Sequence, residues 1–323
     1  MAGATQGGTD IQDLGLLVPA LIALIAGLVI HLFIIGVNVT DWWKGRSVTP
    51  VDHIVTSLAL SRMGVQCAFT LDLHVNALFL KRLDSPVTLV ILNLIYDLFS
   101  STNIWLTSLL SIVLCLKISN FHSRLFLYLR GMIAHRTVYF IGAAVLLSAF
   151  SSIITSLVAI NEVTKDRTYN TMMNNSSVHC TSINYIHNYN IKTFFPFLFY
   201  YISSVLLFTS LYHHITKMKM SSNLSINLER YYSVMKYVFF TSIYNTAYLI
   251  VEIVCVLHFY VFCAFLLQLQ VVLGFLPVLH SSYLIYRTLK LRSQMSKGLQ
   301  NITDFLFQRK DTDPRENIEV VAL

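Results

Sequence analysis

In 323 residues this chain carries 55% hydrophobic and only 12% charged residues, with a mean hydropathy of +0.62. An ordinary soluble domain carries about a quarter charged residues, so the composition argues against a water-soluble fold. The formal net charge of +7 gathers in short clusters between long apolar runs. That is the pattern of membrane-crossing helices joined by loops, and it gives no support to nucleic-acid binding.

The first apolar stretch, roughly 15 to 38, follows a short N-terminal segment (1 to 14) and is nearly free of ionisable groups. It exceeds the apolar core of a secretory signal and therefore reads as a span. The second, 54 to 80, is the least apolar: it holds Arg62, Asp72, His74 and Asn76, and ends at Lys81, Arg82 and the turn Asp84-Ser85-Pro86. Five more follow at 87 to 116, 138 to 160, 194 to 216, 234 to 257 and 261 to 286. A bilayer is crossed by about 20 helical residues, so the expected fold is an all-α membrane protein, a bundle of seven transmembrane helices over 15 to 286. The connection from 161 to 193 is rich in Asn, Thr and Ser and reads as a polar loop. In the tail (287 to 323), Leu289, Met295, Leu299 and Leu306 are spaced for one helical face, which predicts an amphipathic helix lying on a membrane surface.

Positive charge is retained on the cytosolic side of a membrane. Segments 39 to 53, 117 to 137, 217 to 236 and 287 to 323 carry 17 Lys and Arg, against 5 for the N-terminus and the other loops. The expected topology therefore has the N-terminus outside and the C-terminus in the cytosol, with a basic inner face that attracts anionic lipid. Overlapping sequons at Asn174 and Asn175 fall in the long external loop and are the expected glycosylation sites. Sequons at Asn38, Asn223 and Asn301 fall on the cytosolic side and are expected to stay unmodified.

Of the five cysteines, Cys67, Cys115, Cys255 and Cys263 lie in or near spans and read as helix-packing residues. Cys180, in the external loop, has Cys263 or Cys255 as candidate partners. No spacing suggests a metal site: His213 and His214 are adjacent and point about 100° apart on a helix. His280-Ser281 lacks a nearby carboxylate, so hydrolytic chemistry is equally poorly supported. Neither an enzyme nor a cofactor is expected. A transporter needs paired broken helices or several intramembrane charges, and the sequence shows only Arg62 and a few polar groups in the second span.

The first loop reads Val37-Asn38-Val39-Thr40-Asp41-Trp42-Trp43-Lys44-Gly45-Arg46, followed by Val51-Asp52-His53-Ile54 and Leu58-Ala59-Leu60-Ser61-Arg62. Further segments are Leu116-Lys117-Ile118-Ser119-Asn120-Phe121, Ser210-Leu211-Tyr212-His213-His214 and Pro277-Val278-Leu279-His280-Ser281. In this order they resemble the bitter-taste receptor family, taste receptors type 2, among the G-protein-coupled receptors. A vomeronasal type 1 pheromone receptor shares the topology, but the Trp-Lys-Gly-Arg loop and the His-Ser of the seventh helix argue against it. The resemblance implies a plasma-membrane receptor that binds small, mostly apolar agonists of the bitter type from outside. It further implies activation of a heterotrimeric G protein of the gustducin or inhibitory class.

Arg62 lies about eight residues into its span, ~12 Å of helix rise, where a guanidinium costs several kcal/mol unless paired or hydrated. Physical reading and resemblance together give an activation network of Asn38, Arg62, His280 and Ser281, with Arg62 bonded to Asn38 and to Ser281 or backbone of the seventh helix. Alignment on Trp105 places Tyr96 and Ser100 at the family's cavity positions in the third helix, with Asn103 one turn deeper; Tyr248 and Gln270 complete the expected ligand site. Lys117, Asn120, Phe121, His122 and His214 are the expected G-protein contacts. Trp42 and Trp43, next to Lys44, read as interfacial anchors.

Overall fold

The computed structural model describes residues 6–78, 86–119, 124–170, 183–220, 225–262 and 266–311. The described residues form helices α1 (Gln6–Trp43), α2 (Pro50–Leu78), α3 (Pro86–Ile118), α4 (Arg124–Asn170), α5 (Ile183–Met220), α6 (Ser225–Phe262), α7 (Leu267–Arg287) and α8 (Leu289–Asp311). The first seven each contain 21 to 29 residues long and apolar enough to cross a membrane. One compact unit covers 1–281 and a second covers 282–323, the end of α7 with α8.

The helices present apolar faces outward and bury small and polar residues among larger aliphatic ones. On α1, Val18, Ile22, Ile25, Val29 and Leu32 form an exposed stripe with steps of three and four, while Leu17, Ala20, Ala23, His31, Ile34 and Asn38 form the buried one. On α4 the exposed face carries Leu146, Phe150, Ile153 and Leu157, and the buried one Ala144, Ser148, Ser152 and Thr155. Small residues let backbones approach closely. At Gly27 of α1 a Cβ would lie 2.0 Å from Gln66 Oε1 of α2, so any larger residue there must displace the end of the Gln66 side chain. The helix with the largest buried share is α3, 67% of its most apolar window against 22% for α4, which makes α3 the central wall.

Helix ends follow local sequence. Gly45, at φ +67, closes α1: its N–H donates to Trp42 O and that of Arg46 to Asp41 O, both at 3.0 Å, a Schellman cap. Trp42 and Trp43 are exposed at this end. Thr49 caps α2 reciprocally with Asp52, Thr49 N donating to Asp52 Oδ2 at 3.0 Å and Asp52 N to Thr49 Oγ1 at 3.3 Å. Pro50 and Pro86 open α2 and α3, where their missing N–H has no intrahelical partner to lose.

Several connections expected as loops are helical. α4 begins at Arg124 and bends at Arg136 (φ −121, ψ 22), so much of the basic 117 to 137 segment is a helix of its own before the span. The 161 to 193 segment is helical to Asn170 and again from Ile183, because hydropathy marks where a helix leaves the apolar region and not where its hydrogen bonding stops. Asn174, Asn175, Cys180 and Cys263 lie outside the described residues. In the second unit, the tail is helical over α8, which exposes Leu289, Leu299, Ile302 and Phe305.

Candidate functional site

Arg62 of α2 is 1% exposed and ties three helices together. Its Nε donates to Asn103 Oδ1 of α3 at 3.0 Å, and its Nη1 to Ser281 Oγ of α7 at 2.9 Å. Nη1 also lies 2.8 Å from His280 Nδ1. A guanidinium only donates, so His280 Nδ1 accepts and that ring is neutral with its proton on Nε2. Ser281 Oγ is in turn 3.0 Å from His31 Nε2, which brings α1 into the network. One turn further along α2, Gln66 Nε2 donates to Gly274 O at 3.0 Å, in the turn of α7 that precedes Pro277. The Tyr244 ring of α6 lies 4.6 Å from the His280 ring and 6.0 Å from Arg62 Cζ, centroid distances that place an aromatic face beside the cation.

A cavity opens on the other side of Asn103 and Tyr244, between α3, α5 and α6. Asn103, Ile104, Thr107 and Ser108 line it from α3, Pro196, Phe197 and Tyr200 from α5, and Tyr244, Asn245 and Tyr248 from α6. Its free volume is about 10 Å³, room for about one water-sized group. Asn103 and Tyr244 therefore touch both cavity and network. Beneath the cavity, Ser203 Oγ of α5 donates to Ser111 Oγ of α3 at 2.7 Å, and Ser204 Oγ lies 3.0 Å from it, closing the α3–α5 seam.

Above the cavity, one turn before Pro196 and one turn after Tyr248, sits a second charged group. Lys192 of α5 forms an ion pair with Asp97 of α3, and Glu252 of α6 lies close by. Lys192 and Glu252 are 6% and 8% exposed. Intramembrane charge is thus not confined to Arg62 and α2, contrary to the sequence expectation: Asp97 and Glu252 lie within the third and sixth spans and Lys192 at the start of the fifth.

Of the expected ligand residues, Asn103 and Tyr248 line the cavity. Ser100 is buried beside Tyr248, one turn from Asn103. Tyr96 packs against the cluster of Leu17, Ala20, Phe69, Leu73 and Val271 from α1, α2 and α7. Gln270 is half-buried in the first turn of α7 and is not among the lining residues. Of the expected network, Arg62, His280 and Ser281 meet. Asn38 is not a partner of Arg62; its Nδ2 donates to Thr56 Oγ1 at 2.9 Å. Asn38 lies seven residues beyond His31, about 10 Å of helix rise, and His31 is the α1 residue that reaches the network. His31 was legible as the one ionisable side chain inside an otherwise apolar span. Tyr244, Asn245 and Ser108 gave no signal beyond their helical spacing from Tyr248 and Ile104. Lys117 is exposed at the end of α3 and His214 half-buried on α5, while Asn120, Phe121 and His122 lie outside the described residues.

Cys67, Cys115 and Cys255 are free thiols among the described residues.

The family model described as taste receptor protein (TAS2R) matches residues 10–303. Among similar proteins, taste receptor type 2 member 7 of Rattus norvegicus is 28% identical over 217 residues, 65% of this chain and 68% of the relative. Member 13 of Pan troglodytes is 30% identical over 201 residues, 58% and 63%. Member 2 of Homo sapiens is 25% identical over 198 residues, 61% and 65%. The matched stretches thus span 63% to 68% of these relatives.

Proposed function

Because this chain belongs to the taste receptor type 2 family, bitter-taste receptors of the G-protein-coupled class that cross the plasma membrane many times, we propose that it binds small, mostly apolar molecules from outside and activates a heterotrimeric G protein. The observation that carries this reading is the shared wall. Asn103 and Tyr244 line the cavity, and the same two side chains contact Arg62 or its partner His280. A molecule that enters between α3, α5 and α6 displaces groups bonded to the junction of α1, α2, α3 and α7. Such a junction has two arrangements, one for each position of Asn103 and Tyr244, and a ligand that binds one better shifts the population.

The aromatic walls of Phe197, Tyr200, Tyr244 and Tyr248 suit apolar bodies, with few polar contacts to fix orientation. At the opposite end, the basic 117 to 137 segment, His214 and the 217 to 236 connection form the docking face for a G protein of the gustducin or inhibitory class, with Lys117, Asn120, Phe121 and His122 as contacts. The charge asymmetry of 17 against 5 supports this face as cytosolic. Calcium imaging of cells expressing the full chain with a promiscuous G protein, challenged with a bitter-compound panel, tests the reading. A response present with the G protein and absent without it is expected; ligand-dependent flux without any G protein points to a transporter instead.

A further inference from the structure

The floor of the cavity has a chemical polarity of its own. Asn103, Ser108, Tyr244 and Asn245 are all more than nine-tenths buried and line it. Arg62 fixes the amide of Asn103: a guanidinium must meet the carbonyl oxygen, so the NH₂ group is the end left over. Among the described residues, Tyr244 OH and Ser108 Oγ have no hydrogen-bond partner, while the Asn245 amide lies beside the Tyr200 hydroxyl, also in the lining. Thr107, also in the lining, spends its hydroxyl on Asn103 O at 2.7 Å. Among the described residues no carboxylate lines the cavity, and the formal charge directly behind Asn103 and Tyr244 is the Arg62 cation, whose Nη2 also lacks a partner. The Asn103 NH₂ group, two unpartnered hydroxyls and a nearby positive charge surround a space the size of one water, with the Asn245 amide beside them.

From this we propose that the floor is an acceptor subsite: agonists of this chain insert a compact hydrogen-bond acceptor oxygen, such as a ketone, lactone or sulfonyl oxygen, against Asn103, Ser108, Tyr244 and Asn245. The proposal rests on the receptor reading above and deepens it by naming the ligand chemistry. An acceptor satisfies donors that are otherwise buried without partners, and unmatched buried polar groups are how a site rejects analogues that lack the matching atom. An ammonium group at the same place faces NH₂ donors and a guanidinium, so cations are excluded from the floor. An ordered water supplies the same lone pairs, and the test separates it from the ligand's own oxygen.

The full-length receptor is expressed with a promiscuous G protein and challenged with a bitter-compound panel, to which benzophenone, diphenyl sulfone, diphenylmethane and benzhydrylamine are added as a matched set. Each active compound is compared with its deoxygenated counterpart. The purified receptor is also heated with the four matched probes. The expected result is that removing the acceptor oxygen lowers potency at least tenfold, and that benzophenone and diphenyl sulfone raise the melting temperature more than the other two. Tyr244→Phe and Ser108→Ala lower the potency of the oxygenated compound tenfold and leave the deoxygenated one unchanged, since only the former has a bond to lose. If oxygenated and deoxygenated partners act alike, or both variants weaken them equally, the floor holds water and the acceptor subsite is refuted while the receptor reading stands. No G-protein-dependent response to any compound removes the receptor reading itself.

Discussion

Replacing Arg62 separates what holds the bundle together from what couples its parts. The side chain makes hydrogen bonds to Asn103, His280 and Ser281. Interhelical bonds in membranes average about 0.6 kcal/mol, and charge-assisted ones in proteins start near 1.5 kcal/mol, so the set is worth about 2 to 4.5 kcal/mol. Against this stands the cost of keeping a guanidinium at 1% exposure, several kcal/mol that its removal returns. The net change in stability is therefore small, provided the volume is refilled. Arg62→Met fills the space and is expected at the cell surface near the wild-type level, whereas Arg62→Ala also leaves a cavity costing about 2 to 3 kcal/mol and is expected in reduced amount. Both lose the agonist response, because the link from α2 to α3 and α7 is gone. Arg62→Lys is expected to recover part of it, since one ammonium lacks the planar fork that reaches Asn103 and α7 together. Surface labelling and calcium imaging on the same cells provide the readout. Full signalling by Arg62→Met or Arg62→Ala at matched surface density refutes the coupling argument.

Tyr248→Ala, in the cavity wall, is expected to cost agonist potency tenfold or more, about 1.4 kcal/mol, with surface expression intact. Tyr96→Ala is expected instead to lower the melting temperature, because Tyr96 packs on the α1–α2–α7 cluster; dose–response curves and thermal melts distinguish the two. Lys192→Ala leaves Asp97 and Glu252 without their cation and is expected to destabilise by about 3 to 5 kcal/mol, read as lost surface expression that Asp97→Asn restores in part. Gly27→Ala drives a Cβ into Gln66 and breaks its bond to Gly274 O, for a loss of about 1 kcal/mol in a thermal melt; an unchanged melt denies the close approach of α1 and α2. Glycosidase is expected to shift the mobility of the wild type and not of a variant lacking Asn174 and Asn175. Modification at Asn223 or Asn301 overturns the proposed topology.

The spans were legible because lipid imposes one rule on every turn of helix, and seven apolar runs follow from it. The helical extensions at Arg124, Asn170 and Ile183 were not, since polar helices outside the apolar region obey no such rule. Arg62 stood out by cost alone, and its meeting with His280 and Ser281 followed from the resemblance. The error over Asn38 shows the limit: sequence gives depth along one helix and not the rotation and tilt that bring His31 to Ser281. Asn103 was expected to serve the ligand, and its bond to Arg62 makes it a shared residue, a role visible only once α2 and α3 are placed side by side. Asp97, Lys192 and Glu252 stayed hidden because each belongs to a different helix, and their grouping exists only in three dimensions.

The central claim is that a ligand between α3, α5 and α6 is sensed by Arg62 through Asn103 and Tyr244. It is tested most directly by agonist affinity and signalling measured together on wild type and Arg62→Met. Radioligand or thermal-shift binding is expected to weaken by no more than about tenfold, the share of an Asn103 amide that Arg62 no longer orients, while the G-protein response falls to background. Loss of binding in proportion to loss of signal would place Arg62 in the ligand site, and an intact signal would remove it from the path altogether.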